Sequence, residues 1–92
     1  MFLEIVTPEA VLLNSEVHIV TVPGINGEFQ MLNNHAPIVS LLVSGNVKFK
    51  GGAIKIEEEF QEKFTKVDGE YQFSINGGTI EMKENKIIIL AD

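Results

Sequence analysis

The sequence predicts an all-β protein, a two-sheet antiparallel β-sandwich of about eight to ten short strands. Short apolar segments recur roughly every eight to twelve residues, separated by glycine, proline and asparagine, as in sandwiches and barrels. Several segments alternate apolar and polar residues, which is the period of a strand with one solvated face. The 92 residues suffice for one hydrophobic core and not for two, so residues 1–92 are predicted to form a single domain.

The first and last segments, FLEIVTP (residues 2–8) and KIIILAD (86–92), are rich in β-branched residues and almost continuously apolar. We expect them to form central strands that are covered on both faces. Residues 16–20 alternate less cleanly, with Val17 and Ile19 expected to point to the same side.

The clearest alternation lies in GNVKFK (residues 45–50) and EYQFSIN (70–76), each of which we expect to keep one wet face. Near the end of the chain, MKENKI contains Glu84-Asn85 between two apolar stretches. This pattern predicts a tight hairpin that pairs Ile80 and Met82 with the final apolar segment.

One segment departs from the strand pattern. In IEEEFQEKFTK (residues 56–66), Phe60 and Phe64 are four residues apart with acidic residues between them. This spacing puts both rings on one face of a helix, and it places Glu59 four residues before Lys63 on another face. We therefore expect one short helical turn near residues 57–64.

The composition excludes several classes of partner and chemistry. The net charge is −6, from 13 acidic and 7 basic residues, and every base is a lysine, so nucleic acids and anionic membrane surfaces are poor partners. Cysteine is absent, which removes disulfides and thiolate chemistry and fits a cytosolic setting. No apolar run has the roughly 20 residues of a membrane-spanning helix, and residues 1–7 do not resemble a signal peptide.

Few side chains are suited to catalysis or to metal binding. His18 and His35 are the only histidines, and they lack the paired spacing of metal ligands. The serines lie outside any nucleophile-elbow pattern, and the glycine pairs are not followed by the residues of a phosphate loop. The acidic cluster Glu57, Glu58, Glu59 and Glu62 is typical of a solvated face. We expect no catalytic residue, no cofactor and no metal.

The segment GEFQMLNNHAP (residues 27–37), here called the contact segment, is the candidate functional element. Gly27 permits a tight turn, Phe29 and Leu32 are expected to point inward, and Pro37 restricts the residue before it. A rigid loop with a polar tip is typical of a docking surface. The alternative is that His35 hydrogen-bonds backbone groups within its own loop. The polar residues of this loop are Glu28, Asn33, Asn34 and His35.

Three stretches resemble a known family in content, order and spacing: LEIVTPEAVLLNSEV (residues 3–17), VTVPGINGEFQMLNNHAPIVSLL (20–42) and INGGTIEMKENKIIILAD (75–92). They are similar to the N-terminal β-sandwich of the epsilon subunit of F-type ATP synthases. The most specific motifs are Gly-Glu-Phe, Leu-x-x-His-Ala-Pro, Gly-Gly-x-x-Glu and the final Leu-Ala-Asp. Residues 51–70 look like an insertion, and Gln30 and Asn33 replace the glycine and proline usual in the family.

The resemblance implies a non-catalytic subunit of the rotating central stalk of a proton-translocating F-type ATP synthase. Such a subunit couples c-ring rotation to the catalytic head through contacts with the gamma subunit and the c-ring. By motif position, the residues that face these partners map onto Glu28, Phe29, Asn33, Asn34 and His35. The implied location is peripheral, at the cytoplasmic face of the bacterial inner membrane and without insertion into it.

Many members of this family continue after Leu-Ala-Asp into a helical hairpin that inhibits ATP hydrolysis and in some cases binds ATP. Here the sequence stops at Asp92. The expectation is therefore a subunit without the C-terminal hairpin, with no hairpin-mediated inhibition and no ATP binding.

Two other functions are alternatives to this one. A β-sandwich that binds a protein or a ligand outside the ATP synthase, such as a peptide or carbohydrate module, would present an aromatic platform. Tryptophan is absent and Tyr71 is the only tyrosine, which argues against sugar stacking. A small enzyme would use His18 or His35 together with a nearby carboxylate.

Overall fold

Ten strands and one short 3₁₀ helix make up the computed structural model, which describes all residues 1–92. This confirms the predicted all-β class. The 3₁₀ helix spans Glu58–Lys63, between the sixth and seventh strands. The strands are β1 (Phe2–Val6), β2 (Val11–Glu16), β3 (Ile19–Gly24), β4 (Gly27–Leu32), β5 (Ile38–Leu42), β6 (Gly45–Lys50), β7 (Thr65–Val67), β8 (Glu70–Ile75), β9 (Gly78–Lys83) and β10 (Lys86–Ala91).

All the strands belong to one curled hydrogen-bonded sheet, in the order β2-β1-β10-β9-β5-β3-β6-β8-β7, with β4 added to β3. The sheet folds into two layers, one with β2, β1, β10, β9 and β5 and the other with β4, β3, β6, β8 and β7. Strand β3 links these layers because residues 19–21 pair with β6 while Gly24 pairs with Leu42 of β5. The layers enclose one core of 19 buried apolar residues. Every pair is antiparallel except β1 with β10, which run parallel, a pairing that the sequence pattern does not reveal.

The two terminal segments form neighbouring strands inside the sheet, as expected, but the prediction that both faces are covered is wrong. Burial alternates along β1 and β10: Leu3 and Ile89 are fully buried, whereas Phe2 and Leu90 are exposed. Only the inner face of this layer packs on the core. The outer face carries apolar side chains with nothing above them.

The expected strand over residues 16–20 is interrupted. Strand β2 ends at Glu16 and β3 begins at Ile19, because the Val17 N–H donates to the carbonyl of Met1 (2.8 Å) and the His18 N–H to that of Lys50 (2.7 Å). Val17 is fully buried as expected. After the break the alternation resumes one residue out of step, and Val20 points inward while Ile19 is half-buried.

The predicted hairpin between β9 and β10 is confirmed. Met82 pairs with Ile87 and Ile80 with Ile89. Its two corner residues, Glu84 and Asn85, have φ angles of 53° and 63°, the left-handed pair that a type I′ turn requires.

The predicted helical turn is confirmed as the 3₁₀ helix. Phe60 and Phe64 are both half-buried and pack on the core, although Phe64 lies just past the helix in extended backbone. The Phe64 ring meets Phe49 edge-on at 5.8 Å and Phe73 at 5.3 Å between centroids. The segment thus covers one side of the core. No helix in the structure has the length and apolar content to cross a membrane.

Candidate functional site

The contact segment is an edge strand followed by a turn, and not a loop throughout. Residues Gly27–Leu32 form β4, which pairs along one edge with β3 and has no strand on its other edge. Gly27 has a φ of 113°, a conformation that favours glycine and closes the β3–β4 turn. The segment therefore offers an exposed strand edge as well as side chains.

The five residues singled out in the sequence fall into two groups. Glu28 and Phe29 lie at the start of β4, and Asn33, Asn34 and His35 lie beyond its end. A strand rises about 3.3 Å per residue, so the Cα atoms of Glu28 and Asn33 are roughly 16 Å apart. A partner must lie along β4 to touch both groups.

Glu28 is half-exposed and forms an ion pair, with its Oε2 3.0 Å from Lys48 Nζ. The pair reaches across β3 on the outer face of the sheet, because Lys48 is opposite Thr21 and Glu28 is opposite Pro23. Gln30 lies on the same face and donates from Nε2 to Thr21 Oγ1 at 3.4 Å. The carboxylate is thus held in place while water still reaches it.

Phe29 is half-buried and packs against the core, as expected. Its ring lies over Gly24, where an added Cβ would come within 2.7 Å of the ring. The expectation that Leu32 also points inward is wrong: Met31 is fully buried and Leu32 is 54% exposed. Alternate residues of a strand point to the same face, so the next inward residue after Phe29 is Met31.

The turn after β4 is fixed by hydrogen bonds to distant parts of the chain. Asn33 Oδ1 accepts from the Met1 amino group at 2.6 Å, and the Asn34 N–H donates to Asn85 Oδ1 at 2.9 Å. Asn34 has a φ of 63°. The side chains of Asn33, Asn34 and His35 are exposed, so the turn is held through its backbone and inner atoms while its outer atoms face solvent.

The imidazole of His35 contacts its own loop, with Nδ1 2.7 Å from the Ala36 carbonyl oxygen, and its backbone N–H donates to Leu32 O at 3.2 Å. Nδ1 carries the proton in this contact, since a carbonyl oxygen only accepts, and Nε2 is left for solvent or a partner. Neither histidine pairs with a carboxylate. No group of three or more possible metal ligands is brought together.

A second surface was missed in the sequence. On the outer side of β5, β10, β1 and β2, the strand register aligns Leu41, Leu90, Val6 and Val11 in one row, through Thr79 of β9. The next row adds Val39 and Ile88. We call this set of six apolar residues the apolar face. Val39, Leu41 and Leu90 are 77%, 59% and 52% exposed. The sequence of β10 could have indicated this surface, because its residues are apolar at outward as well as inward positions.

An open cleft of about 430 Å³ lies beside the 3₁₀ helix and is lined largely by the segment 51–70. Tyr71, which lines the cleft, stacks on Phe49 at 5.6 Å between ring centroids, and Lys66 Nζ lies 5.0 Å from the centre of the Tyr71 ring. The tyrosine is thus already engaged within the chain and does not form a free platform for a sugar. The lining residues are Ile54, Lys55, Ile56, Gln61, Phe64 and Tyr71.

The whole chain, residues 1–92, matches the family described as ATP synthase, delta/epsilon chain, beta-sandwich domain. The chain belongs to this family. The similarity to the N-terminal β-sandwich of epsilon subunits is thereby confirmed. In the delta/epsilon β-sandwich described here, the family motifs Gly-Glu-Phe and His-Ala-Pro lie in β4 and in the turn that follows it.

Several ATP synthase epsilon chains align with almost the whole of this chain. The ATP synthase epsilon chains of Desulforamulus reducens and Campylobacter concisus are 37% and 38% identical over 98% and 100% of it. The chain spans 57% and 60% of their lengths. The epsilon chain of Chlorobaculum tepidum is 33% identical over 98% of this chain, which covers 86% of that relative.

Two solved structures share the fold. One is the central stalk and c-ring of the Tetrahymena thermophila mitochondrial ATP synthase, with a TM-score of 0.75 and 18% identity over 99% of this chain and 62% of the other. The other is the OSCP/F1/c-ring assembly of the Euglena gracilis mitochondrial enzyme, with a TM-score of 0.74 and 20% identity over 97% and 48%. At these identities the likeness concerns the fold.

Proposed function

We propose that this β-sandwich is a non-catalytic part of the central stalk of a proton-translocating F-type ATP synthase. It docks on the gamma subunit and on the c-ring and transmits rotation of the ring toward the catalytic head. The observation that carries the proposal is the 33–38% identity to ATP synthase epsilon chains over nearly the whole chain. The domain acts by docking alone, without a cofactor or a bound nucleotide.

The apolar face is the proposed contact for the gamma subunit. Apolar side chains that form a contiguous outer surface on a folded sheet are typical of protein–protein contacts. Val39, Leu41 and Leu90 are each more than half exposed, so a partner that covers them removes apolar area from water at about 25 cal/mol per Å². Glu81 lies between Val39 and Ile88 in the strand register, and Glu4 lies next to Ile88 on the same side, so this surface also carries two carboxylates.

The contact segment is the proposed contact for the c-ring, with β4 lying along the ring surface. This orientation follows from the separation of the two groups, because a partner at one end of β4 would meet Glu28 or His35 and not both. Glu28, Asn33, Asn34 and His35 are exposed and offer polar groups, and the free edge of β4 offers backbone donors and acceptors. The domain is then held at the cytoplasmic face of the membrane by the ring and does not enter the bilayer.

Co-expression with the gamma and c subunits tests the proposal. The tagged chain is expected to copurify with both subunits from detergent extract. Cysteines placed one at a time at Glu28 and at His35 are expected to cross-link to the polar loops of the c-ring. A cysteine at Val67, exposed on the edge strand β7 and separated from β4 by β3, β6 and β8, is the control and should not react with the ring.

Two outcomes would count against this assignment. Cross-linking of the Glu28 and His35 positions to the catalytic subunits instead of the ring would reverse the orientation. Failure of the chain to copurify with either rotor subunit would remove the proposed function, and the reading as a binding module outside the ATP synthase would take its place.

A further inference from the structure

Asn85 connects the two turns at one end of the sandwich. Its side-chain Oδ1 accepts from the Asn34 N–H at 2.9 Å, across 51 residues of sequence. Its backbone carbonyl accepts from the Phe2 N–H at 3.1 Å. One residue of the β9–β10 turn therefore binds both the start of β1 and the turn that carries His35.

The type of residue at position 85 is informative. The second corner of a type I′ turn, at a φ of 63° here, is the position where glycine is the strongest choice and asparagine is tolerated. Glycine would serve the hairpin equally well and could make the backbone bond to Phe2. Only a side chain with an acceptor at this position can also reach the N–H of Asn34.

The backbone of Asn34 is left-handed as well. Asn34 is exposed and adopts a φ of 63°, a conformation that is uncommon for residues with a side chain and that asparagine tolerates. The bonds made by His35, to Leu32 O and to Ala36 O, lie within the same turn. The bond from Asn34 to Asn85 is the one that anchors the backbone of residue 34 to another strand pair.

We propose that Asn85 is a positioning residue for the contact segment. Its Oδ1 holds the backbone of Asn34 in the left-handed conformation and so fixes the direction in which His35 is presented to a partner. The inference rests on the proposed function for the part that concerns the partner. The part that concerns the geometry of the turn stands on the 2.9 Å bond alone.

The test compares Asn85→Gly with Asn85→Asp. The glycine variant keeps the turn and loses the acceptor, whereas the aspartate variant keeps both an acceptor and tolerance of positive φ. NMR of the 92-residue chain measures the water-exchange rate of the Asn34 amide and the ring resonances of His35. Asn85→Gly should raise the exchange rate roughly three- to tenfold and shift the His35 resonances. Asn85→Asp should restore both, with thermal midpoints alike in all three chains.

A second readout separates this inference from the proposed function. In the co-expressed complex, the rate at which a cysteine at His35 cross-links to the c-ring should fall in Asn85→Gly and recover in Asn85→Asp. An unchanged Asn34 exchange rate in Asn85→Gly, or a loss in Asn85→Asp equal to that in Asn85→Gly, overturns the positioning role. A cross-linking rate that is the same in the parent chain and in both variants also overturns the positioning role.

If the cysteine at His35 does not react with the ring even when Asn85 is present, the proposed function fails. The NMR comparison still decides whether Asn85 positions the turn.

Discussion

Gly78 lies directly against the carbonyl oxygen of Leu90, so that a Cβ added at Gly78 would overlap this oxygen. The contact brings β9 and β10 together at the end of their ladder, where Gly78 pairs with Ala91. Because the overlapped atom is backbone, neither strand can yield without breaking the pairing. This close approach explains why the second glycine of the Gly77-Gly78 motif is structural.

Gly78→Ala is therefore expected to lower the free energy of unfolding by at least about 2 kcal/mol, through overlap with backbone and a φ of 156° that disfavours a side chain. Chemical denaturation measures the change. Gly77→Ala is the matched control, because its Cβ would meet only the end of the Asp92 side chain at 3.2 Å and Leu42 O at 3.4 Å. Equal losses in the two variants would contradict this explanation.

Phe64→Ala tests whether the segment 51–70 is part of the cover of the core. The half-buried ring packs against two core rings, Phe49 and Phe73. Its removal should cost about 2 kcal/mol, less than the 3–5 kcal/mol of a fully buried phenylalanine. Val67→Ala, on the exposed strand β7, should cost under about 0.5 kcal/mol in the same denaturation experiment. A loss at Phe64 no larger than at Val67 would mean that the segment is not needed to close the core.

The ion pair between Glu28 and Lys48 is expected to contribute little to folding. It is accessible to solvent on the outer face, and such pairs are worth about 0.2–1 kcal/mol and weaken with added salt. A double-mutant cycle with Glu28→Gln and Lys48→Met measures the coupling. A coupling above about 2 kcal/mol would show that the pair is structural, and Glu28 would then be less available to the c-ring.

The same carboxylate is expected to matter more for docking if its contact with the partner is an ion pair. Glu28→Lys should weaken attachment to the stalk, and the effect should be larger at low ionic strength because salt screens exposed charges. Glu28→Gln serves as the neutral comparison. An effect that does not change with salt would indicate that the contact is not ionic.

The local features of the fold could be predicted because they are written in short sequence patterns. The alternation around Phe49 and Phe73, the corner at Glu84-Asn85 and the short helix before Phe64 all depend on residues a few positions apart. The parallel pairing of β1 with β10 could not be predicted, since it joins residues such as Ile5 and Ile89 that are far apart in the chain. The interruption after Glu16 likewise depends on backbone bonds to Met1 and Lys50.

The sequence indicated some surface features of the domain and not others. The choice of residues 27–37 by motif position stays a prediction, whereas the assignment of the outward residues of the terminal strands to a buried layer, made from hydrophobicity alone, was wrong. Leu90 and Leu41 align only through the register of β9, which the sequence does not state. The support that Asn85 gives to Asn34 was hidden for the same reason, because 51 residues separate them.

The most direct measurement of the central claim, that this domain works by surface docking in a rotor, is copurification of a variant with the gamma subunit. The variant carries Leu41→Asp and Leu90→Asp on the apolar face, and Val67→Asp, which places one aspartate at an exposed apolar site, is the control. We predict that the double variant folds with an unchanged thermal midpoint and loses at least tenfold in the amount of gamma recovered, while the control recovers as much as the parent chain. Full recovery of gamma by the folded double variant would contradict the account.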